Sequence, residues 1–429
     1  MSSPISSQRL IQRIVNLAAI GQDPGGGITR PFGSDADVRA RRAFQAEVEK
    51  AGLAYHVDAA GNQWAVLAGA DALAKMIAVG SHLDTVPHGG AYDGAAGVLM
   101  ALEAIQSLSV ADYRNRHPLA VVAFTGEEPN SFGLSTLGSQ LFTGRLEGQD
   151  LLDYTDGDGR SLQDALKRVG GDLTQCNTLN PDRIAAFIEP HIEQSGRLDE
   201  LGLPVAVVDR ITGIYRDQVT LTGEQNHAGT TPLAKRRDAL NAFGHAVVGL
   251  DAMLRDAWPE WMVGTIGQVR VYPNAVNIVP SEVTFTVELR STNMAQLQRG
   301  ADRYREHLTD ELERWGIAVT IRNLLNQEPR PLSSAIQNVF VDSARARHLK
   351  PPILSSWAGH DATHIARRVP AGMLFVRSLG GKSHCPDEES RPADLALAAE
   401  ILYDALIVLD QSLEEVLAGG AAIYPSTSS

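Results

Sequence analysis

In the stretch SHLDTVPHGGAYDGAAG, His82 and Asp84 stand two residues apart, and Asp93 comes just before a helical run. Side chains two apart in an extended chain project to one side, so His82 and Asp84 could share a metal ion. Asp93 could cap the helix behind it or offer its two oxygens to two cations. Farther on, FTGEEPNSFG sets Glu127 beside Glu128 after an apolar strand. Adjacent side chains diverge, so one carboxylate could bind metal while the other handles protons, although an exposed charged turn is the plainer account of an isolated pair. His191 in FIEPHIEQSG and His384 in GGKSHCPDE each follow an apolar run. They complete a set of nitrogen and oxygen donors suited to zinc, manganese or cobalt. Spacing alone does not make the set converge.

Two other patterns compete. In HDATH, His360 and His364 are four apart and would share a helix face like the paired histidines of a zinc-protease helix. Asp361 stands where that motif needs Glu, however, and Gly359 suggests a loop-to-helix transition. Cys385 beside His384 suggests a thiol nucleophile. Sequence neighbours seldom make the necessary hydrogen bond, and no Glu-Lys-Cys arrangement accompanies them.

The elements that must position these residues alternate. Strand-like runs at 76–82 and 119–126 flank a helical run at 95–106, an α/β pattern with a largely parallel sheet. Ligands of such sheets collect at the carboxyl ends of strands, where residues 82–84 and 127–128 fall. From about 213 the order becomes strand, helix (235–254), strand, strand, helix (294–315), strand, a β-α-β-β-α-β insertion. Turns at 211–213 and 328–332 are hinges, and the first pattern resumes near 333. The expected domains are therefore 1–212 with 333–429, and 213–332 between them. No internal repeat is found, and no low-complexity segment beyond the terminal PSTSS.

Composition excludes several classes. A chain of 429 residues exceeds one ordinary core, in keeping with two domains. A net charge of −13 argues against a nucleic-acid partner. No apolar run approaches the roughly 20 residues that span a bilayer. The N-terminal segment reads as an amphipathic helix rather than a signal peptide. Cys176 and Cys385 are too few for a disulfide framework, which points to a reducing cytoplasm.

The segments GSHLDTVPHGGAYDGAAGV, FTGEEPNSFG, PHIEQSG, NHAGTTPLAKRRDAL, NAVNIVP and GHDA, in this order along nearly the whole chain, resemble the M20 metallopeptidase superfamily. The resemblance is to its amidase, hydantoinase and carbamoylase branch. It implies a zinc-exopeptidase-like catalytic domain with a ferredoxin-like lid and dimerisation domain inserted, and a homodimer. It also implies two divalent ions (zinc, manganese or cobalt) and cleavage of the carbamoyl C–N bond of N-carbamoyl-L-amino acids or similar ureido acids. Allantoate, β-ureidopropionate and other N-acyl amino acids are the alternatives.

By the same matching, His82 and His191 hold one metal, Glu128 and His384 the other, and Asp93 bridges them. Asp84 leaves the ligand set and orients His82, its carboxylate accepting the other imidazole N–H. Glu127 is the general base, and His227 donates to the developing oxyanion. Asn277 and Arg290 grip the substrate carboxylate, Gln194 contacts the ureido group, and Gly359 and His360 lie beside the substrate. The chain departs from the pattern after Glu128, where it reads PNSFGLSTLGS, and at Gly126, where relatives more often carry a polar residue.

Overall fold

The computed structural model describes residues 4–419 except 72 and 259, so the terminal PSTSS lies outside the described residues. The chain divides into two compact units, Met1–Asp209 with Pro331–Ser429, and Arg210–Arg330.

In the larger unit the apolar runs become the middle of one sheet. Strand Met76–His82 lies between Leu119–Phe124 and Ile184–Ile192, parallel to both, and Ala371–Val376 continues the parallel set beyond Ile184–Ile192. These four strands are almost wholly buried, as continuous Val/Ile/Leu/Ala runs must be when both faces are covered. Antiparallel strands flank them, Gln63–Leu67 and Ala54–Val57 on one side and Val205–Ile211 on the other.

Helices Ala95–Val110, Pro392–Leu417 and Ser334–Ala346 fill the core against the sheet. The expected amphipathic N-terminal helix forms over Ser7–Ala18 and buries Leu10, Ile14 and Leu17, whose spacing makes one stripe. It docks through Glu103, a fully buried carboxylate that accepts from Arg9 and Arg13.

The smaller unit runs strand Gly213–Thr222, helix Ala239–Ala257, strands Val263–Tyr272 and Glu282–Ser291, helix Met294–Glu313, strand Ala318–Gln327. Its four long strands form an antiparallel sheet with Gly213–Thr222 and Glu282–Ser291 in the middle. Burial alternates along Glu282–Ser291. Val283, Phe285, Val287 and Leu289 face the helices, while Thr284, Thr286, Glu288 and Arg290 line the other, partly open face. The first helix begins at Ala239 rather than 235, because the Asp238 side chain accepts from the N–H groups of Leu240 and Asn241 and caps it there.

Candidate metal centre

Parallel strands deliver their carboxyl ends to one edge of the sheet, and the candidate donors sit there. His82 ends its strand, His191 is the penultimate residue of Ile184–Ile192, and Glu127 and Glu128 follow Phe124. Asp93 comes in on the loop before helix Ala95–Val110. It does not cap that helix: Gly94 is the N-cap, without a side-chain hydrogen bond. Gly94 has φ +62°, and a Cβ there would fall 2.4 Å from the His82 ring, so only glycine lets the chain turn this close. Glu388 pins the loop by accepting the N–H groups of Tyr92 (2.8 Å) and Asp93 (3.0 Å).

The two oxygens of Asp93 face different partners. Oδ1 lies 3.5 Å from His82 Nε2 and 3.2 Å from His191 Nε2. Oδ2 lies 3.1 Å from His384 Nε2, which is itself 3.4 Å from Glu128 Oε1. Two donor clusters result, His82–Asp93–His191 and Asp93–Glu128–His384, sharing Asp93. The first is buried, whereas the His384 side chain in the second is 48% exposed.

Backbone carbonyls set the histidine tautomers. His82 Nδ1 lies 3.0 Å from the Asp84 carbonyl and His191 Nδ1 2.9 Å from that of Ile192. A carbonyl oxygen only accepts, so each Nδ1 carries the hydrogen and each Nε2 turns toward Asp93. A lone pair aimed at a carboxylate is attractive only with a positive centre between them, a proton or a metal ion. The electrostatics agree. Burial works against charging His82 and His191, yet Glu127 and Asp93 around the first and Asp93 beside the second raise both above the ordinary imidazole value. Among the carboxylates, burial pushes Glu127 well above the usual range, with Glu128 and Asp361 adding to the push. Burial and Asp93 bring Glu128 up to about 7. A bound dication would reverse that effect. The donor set thus fits a divalent metal.

Asp84 requires a correction. Its carboxylate is 3.8 Å from His82 Nδ1, and the Asp84 backbone carbonyl makes the hydrogen bond that orients the ring. The carboxylate is committed elsewhere, accepting the backbone N–H groups of Glu127 (3.3 Å) and Glu128 (3.0 Å). Among the described residues, Asp84 belongs to neither donor cluster.

Gln194 donates to Asp93 Oδ2 at 2.8 Å and lies 3.4 Å from His384 Nε2. His384 thus turns its Nε2 to Asp93 and Glu128. The paired-histidine helix fails. Helix Ala362–Ile365 starts after His360; His360 Nε2 pairs with Ser356 Oγ at 2.7 Å, while His364 Nε2 pairs with Thr136 Oγ1 at 2.9 Å. The His360 ring stands edge-on to His191, centroids 4.7 Å apart, and Gly359 lies in the coil before it. Gly126 adopts φ +58°, a conformation that most residues with a side chain enter only with strain.

Sequence reasoning missed the polar layer behind the metal donors. Glu189 is fully buried, accepts from Ser81 Oγ (2.9 Å) and the Ala362 N–H (2.7 Å), and forms a third cluster with His191 and His360. Asp361, also buried, accepts from Ser139 Oγ at 2.5 Å. The available signal was an acid inside the apolar run FIEPHI, two residues before His191 and hence on its side of the strand.

In the smaller unit, Asn226–His227 pairs with Ile278–Val279, and the Asn277 carbonyl accepts the Ala228 N–H at 3.0 Å. His227 Nδ1 accepts the N–H groups of Gly229 (3.0 Å) and Thr230 (3.2 Å), which leaves Nε2–H as the donor. Arg290 pairs with Glu288 on its own strand.

A mainly parallel α/β sheet with imidazole and carboxylate donors clustered at its carboxyl edge has the donor set of a divalent-metal site. The chain belongs to peptidase family M20/M25/M40, whose model matches residues 78–407. An N-carbamoyl-L-amino acid amidohydrolase of Geobacillus stearothermophilus is 34% identical over 413 residues, 95% of this chain and 99% of the relative. Allantoate amidohydrolase of Escherichia coli (strain K12) is 34% identical over 389 residues, 90% of this chain and 94% of the relative. The crystal structure of an amidase of the hydantoinase/carbamoylase family from Burkholderia vietnamiensis matches with a TM-score of 0.86 at 31% identity, covering 94% of this chain and 97% of that one. Within the family, the chain falls among the amidohydrolases.

Proposed function

We propose that the enzyme hydrolyses the carbamoyl C–N bond of an N-carbamoyl-L-amino acid or similar small ureido acid, giving the amine, carbon dioxide and ammonia. Allantoate and β-ureidopropionate remain the alternatives, with other N-acyl amino acids behind them. The observation that carries the reading is Asp93, whose two oxygens face separate donor sets, in a chain similar to carbamoyl and allantoate amidohydrolases over nine-tenths of its length or more.

His82 and His191 would hold one divalent ion, Glu128 and His384 a second, and Asp93 both. Bound there, such ions supply Lewis acidity and lower the pKa of water. Glu127 takes the proton of the attacking water and returns it to the leaving nitrogen. Its Oε2, 3.6 Å from His82 Nε2, is within reach of that centre. His227 donates Nε2–H to the oxyanion, a role that its two backbone donors at Nδ1 support. Asn277 and Arg290 bind the substrate carboxylate, Gln194 the ureido group, and Gly359 and His360 border the substrate.

Residues 1–212 and 333–429 are read as the catalytic domain, and residues 213–332 as a ferredoxin-like lid that also builds a homodimer. The strand and helix order of the smaller unit supports the lid topology. The PNSF departure adjoins Glu128, so the accepted acyl group is expected to be unusual for the branch. A cytoplasmic setting fits the two free cysteines. Among the described residues, no helix is long and apolar enough to cross a membrane.

The test is to strip the protein with a chelator, restore manganese, cobalt or zinc separately, and measure ammonia release across N-carbamoyl α- and β-amino acids, allantoate and N-acyl amino acids. Metal-dependent ammonia release from a carbamoyl acid is expected. Amine release without ammonia would move the substrate to the N-acyl class.

A further inference from the structure

Asp93 and His384 reach the centre from loops. The other candidate donors are held by regular structure or its immediate neighbours: His82 and His191 sit at the ends of buried strands, and Asp84 accepts the backbone N–H of Glu128. His384 stands at φ +56°, a left-handed conformation for a residue with a side chain, and its imidazole is half exposed. Such a loop keeps one shape only if its surroundings hold it there.

Glu388 meets both loops. Its Oε1 accepts the N–H groups of Tyr92 (2.8 Å) and Asp93 (3.0 Å), and its Oε2 accepts from Ser383 Oγ (2.9 Å), the residue before His384. The Ser383 hydroxyl also lies 3.0 Å from Asp93 Oδ2. One hydroxyl hydrogen faces two carboxylates; an ion on Asp93 would compensate the Asp93 oxygen and leave that hydrogen to Glu388. Backbone bonds shape the His384 loop itself, from the Glu388 N–H to the Cys385 carbonyl at 3.2 Å and from the Leu379 N–H to that of Glu389 at 2.8 Å. Gly90 makes room for the carboxylate. A Cβ there would fall 2.1 Å from Glu388 Oε1.

We propose that Glu388 is a positioning residue for the metal centre: one buried carboxylate clasps the Asp93 loop to the Ser383–His384 loop and so presets the Asp93–Glu128–His384 donor set. The proposal rests on the two-ion reading above. Donors already in place give up less freedom when the ion arrives, and removing a group that orients metal ligands changes affinity by about 10- to 100-fold. The effect is uneven across the centre, because the His82–Asp93–His191 set keeps two imidazoles carried by strands.

The experiment titrates manganese into chelator-stripped, full-length wild type, Glu388→Ala, Glu388→Gln, Ser383→Ala and His384→Ala by calorimetry, with elemental analysis at fixed free manganese and circular dichroism for the fold. Wild type should take up two ions, and His384→Ala identifies the binding step that belongs to its set. Glu388→Ala should weaken that same step by roughly 10- to 100-fold and leave the other within about threefold. Glu388→Gln keeps an amide oxygen for the two backbone N–H groups and turns its NH₂ to the Ser383 hydroxyl, so affinity should return close to the wild-type value. Wild-type affinities in Glu388→Ala would overturn the proposal. Equal weakening of both steps would also overturn it and make Glu388 a general prop of the fold. Should Glu388→Ala fail to fold, Ser383→Ala decides, since it removes only the link between the loops: either the His384 step weakens while the other stays, or the proposal falls. A wild type that takes up no second ion would instead sink the two-ion reading, and the clasp with it.

Discussion

Asp84 accepts the backbone N–H of Glu128 at 3.0 Å through its carboxylate. The same residue takes His82 Nδ1 at 3.0 Å through its carbonyl. Side chain and main chain of one residue thus fix two donors of the centre. The substitution Asp84→Asn preserves shape but replaces one acceptor oxygen by an NH₂ group facing a backbone donor. Losing a hydrogen bond to a charged group costs about 1.5–3 kcal/mol, so kcat/KM should fall by roughly 10- to 100-fold. Metal bound at His82 and His191 should persist, since the carbonyl is untouched. Elemental analysis beside steady-state kinetics checks both, and loss of the metal with retained fold would show that the carboxylate holds His82 after all.

Glu127→Gln should keep metal content and lose turnover by about 10²- to 10⁴-fold, because an amide of equal shape cannot accept the proton of water. Near-wild-type activity in a metal-verified sample would remove Glu127 from the role of base.

For His227→Ala the expected effect falls on turnover more than on binding, by about 100-fold or more in kcat, as for other oxyanion donors. A change confined to KM would place His227 in ground-state binding.

Removing metal should lower thermal stability. The site packs Asp93, Glu127 and Glu128 around buried imidazoles, and an ion bound at 100 times its Kd stabilises the native state by about 2.7 kcal/mol. Calorimetric scans of chelated and manganese-restored protein should show the midpoint fall and recover; identical midpoints would mean that no ion binds here.

A stability prediction concerns the N-terminal helix. Glu103 is fully buried and accepts from Arg9, Arg13 and the Ser6 N–H. Glu103→Ala would leave Arg13, also buried, short of a partner, at a cost of about 3 kcal/mol. Denaturant unfolding measures the change, and a loss below about 1 kcal/mol would show that Glu47 and Gln106 suffice for Arg13.

The sequence by itself determined the main elements and named the candidate donors. The short apolar runs at 76–82 and 119–124 read as buried strands, and parallel strands bring their ends to one edge, so His82 and the Glu127–Glu128 pair were legible as neighbours. What the chain read one residue at a time could not supply was which atom faces which. Asp84 showed only that a carboxylate stands near His82; folding decided that its carbonyl takes the ring and its side chain takes the next loop. The histidines of HDATH share a spacing, but the helix begins two residues after His360 and sends the two rings to Ser356 and Thr136. Glu189, inside an apolar strand, became part of the layer behind the centre only through contacts with Ser81 and Ala362, 108 and 173 residues away in the chain. Periodicity fixes the side of an element on which a residue lies, because it depends on local geometry. Partners of buried polar atoms are fixed by tertiary packing, where each donor and acceptor must be satisfied by whatever the fold brings within about 3 Å.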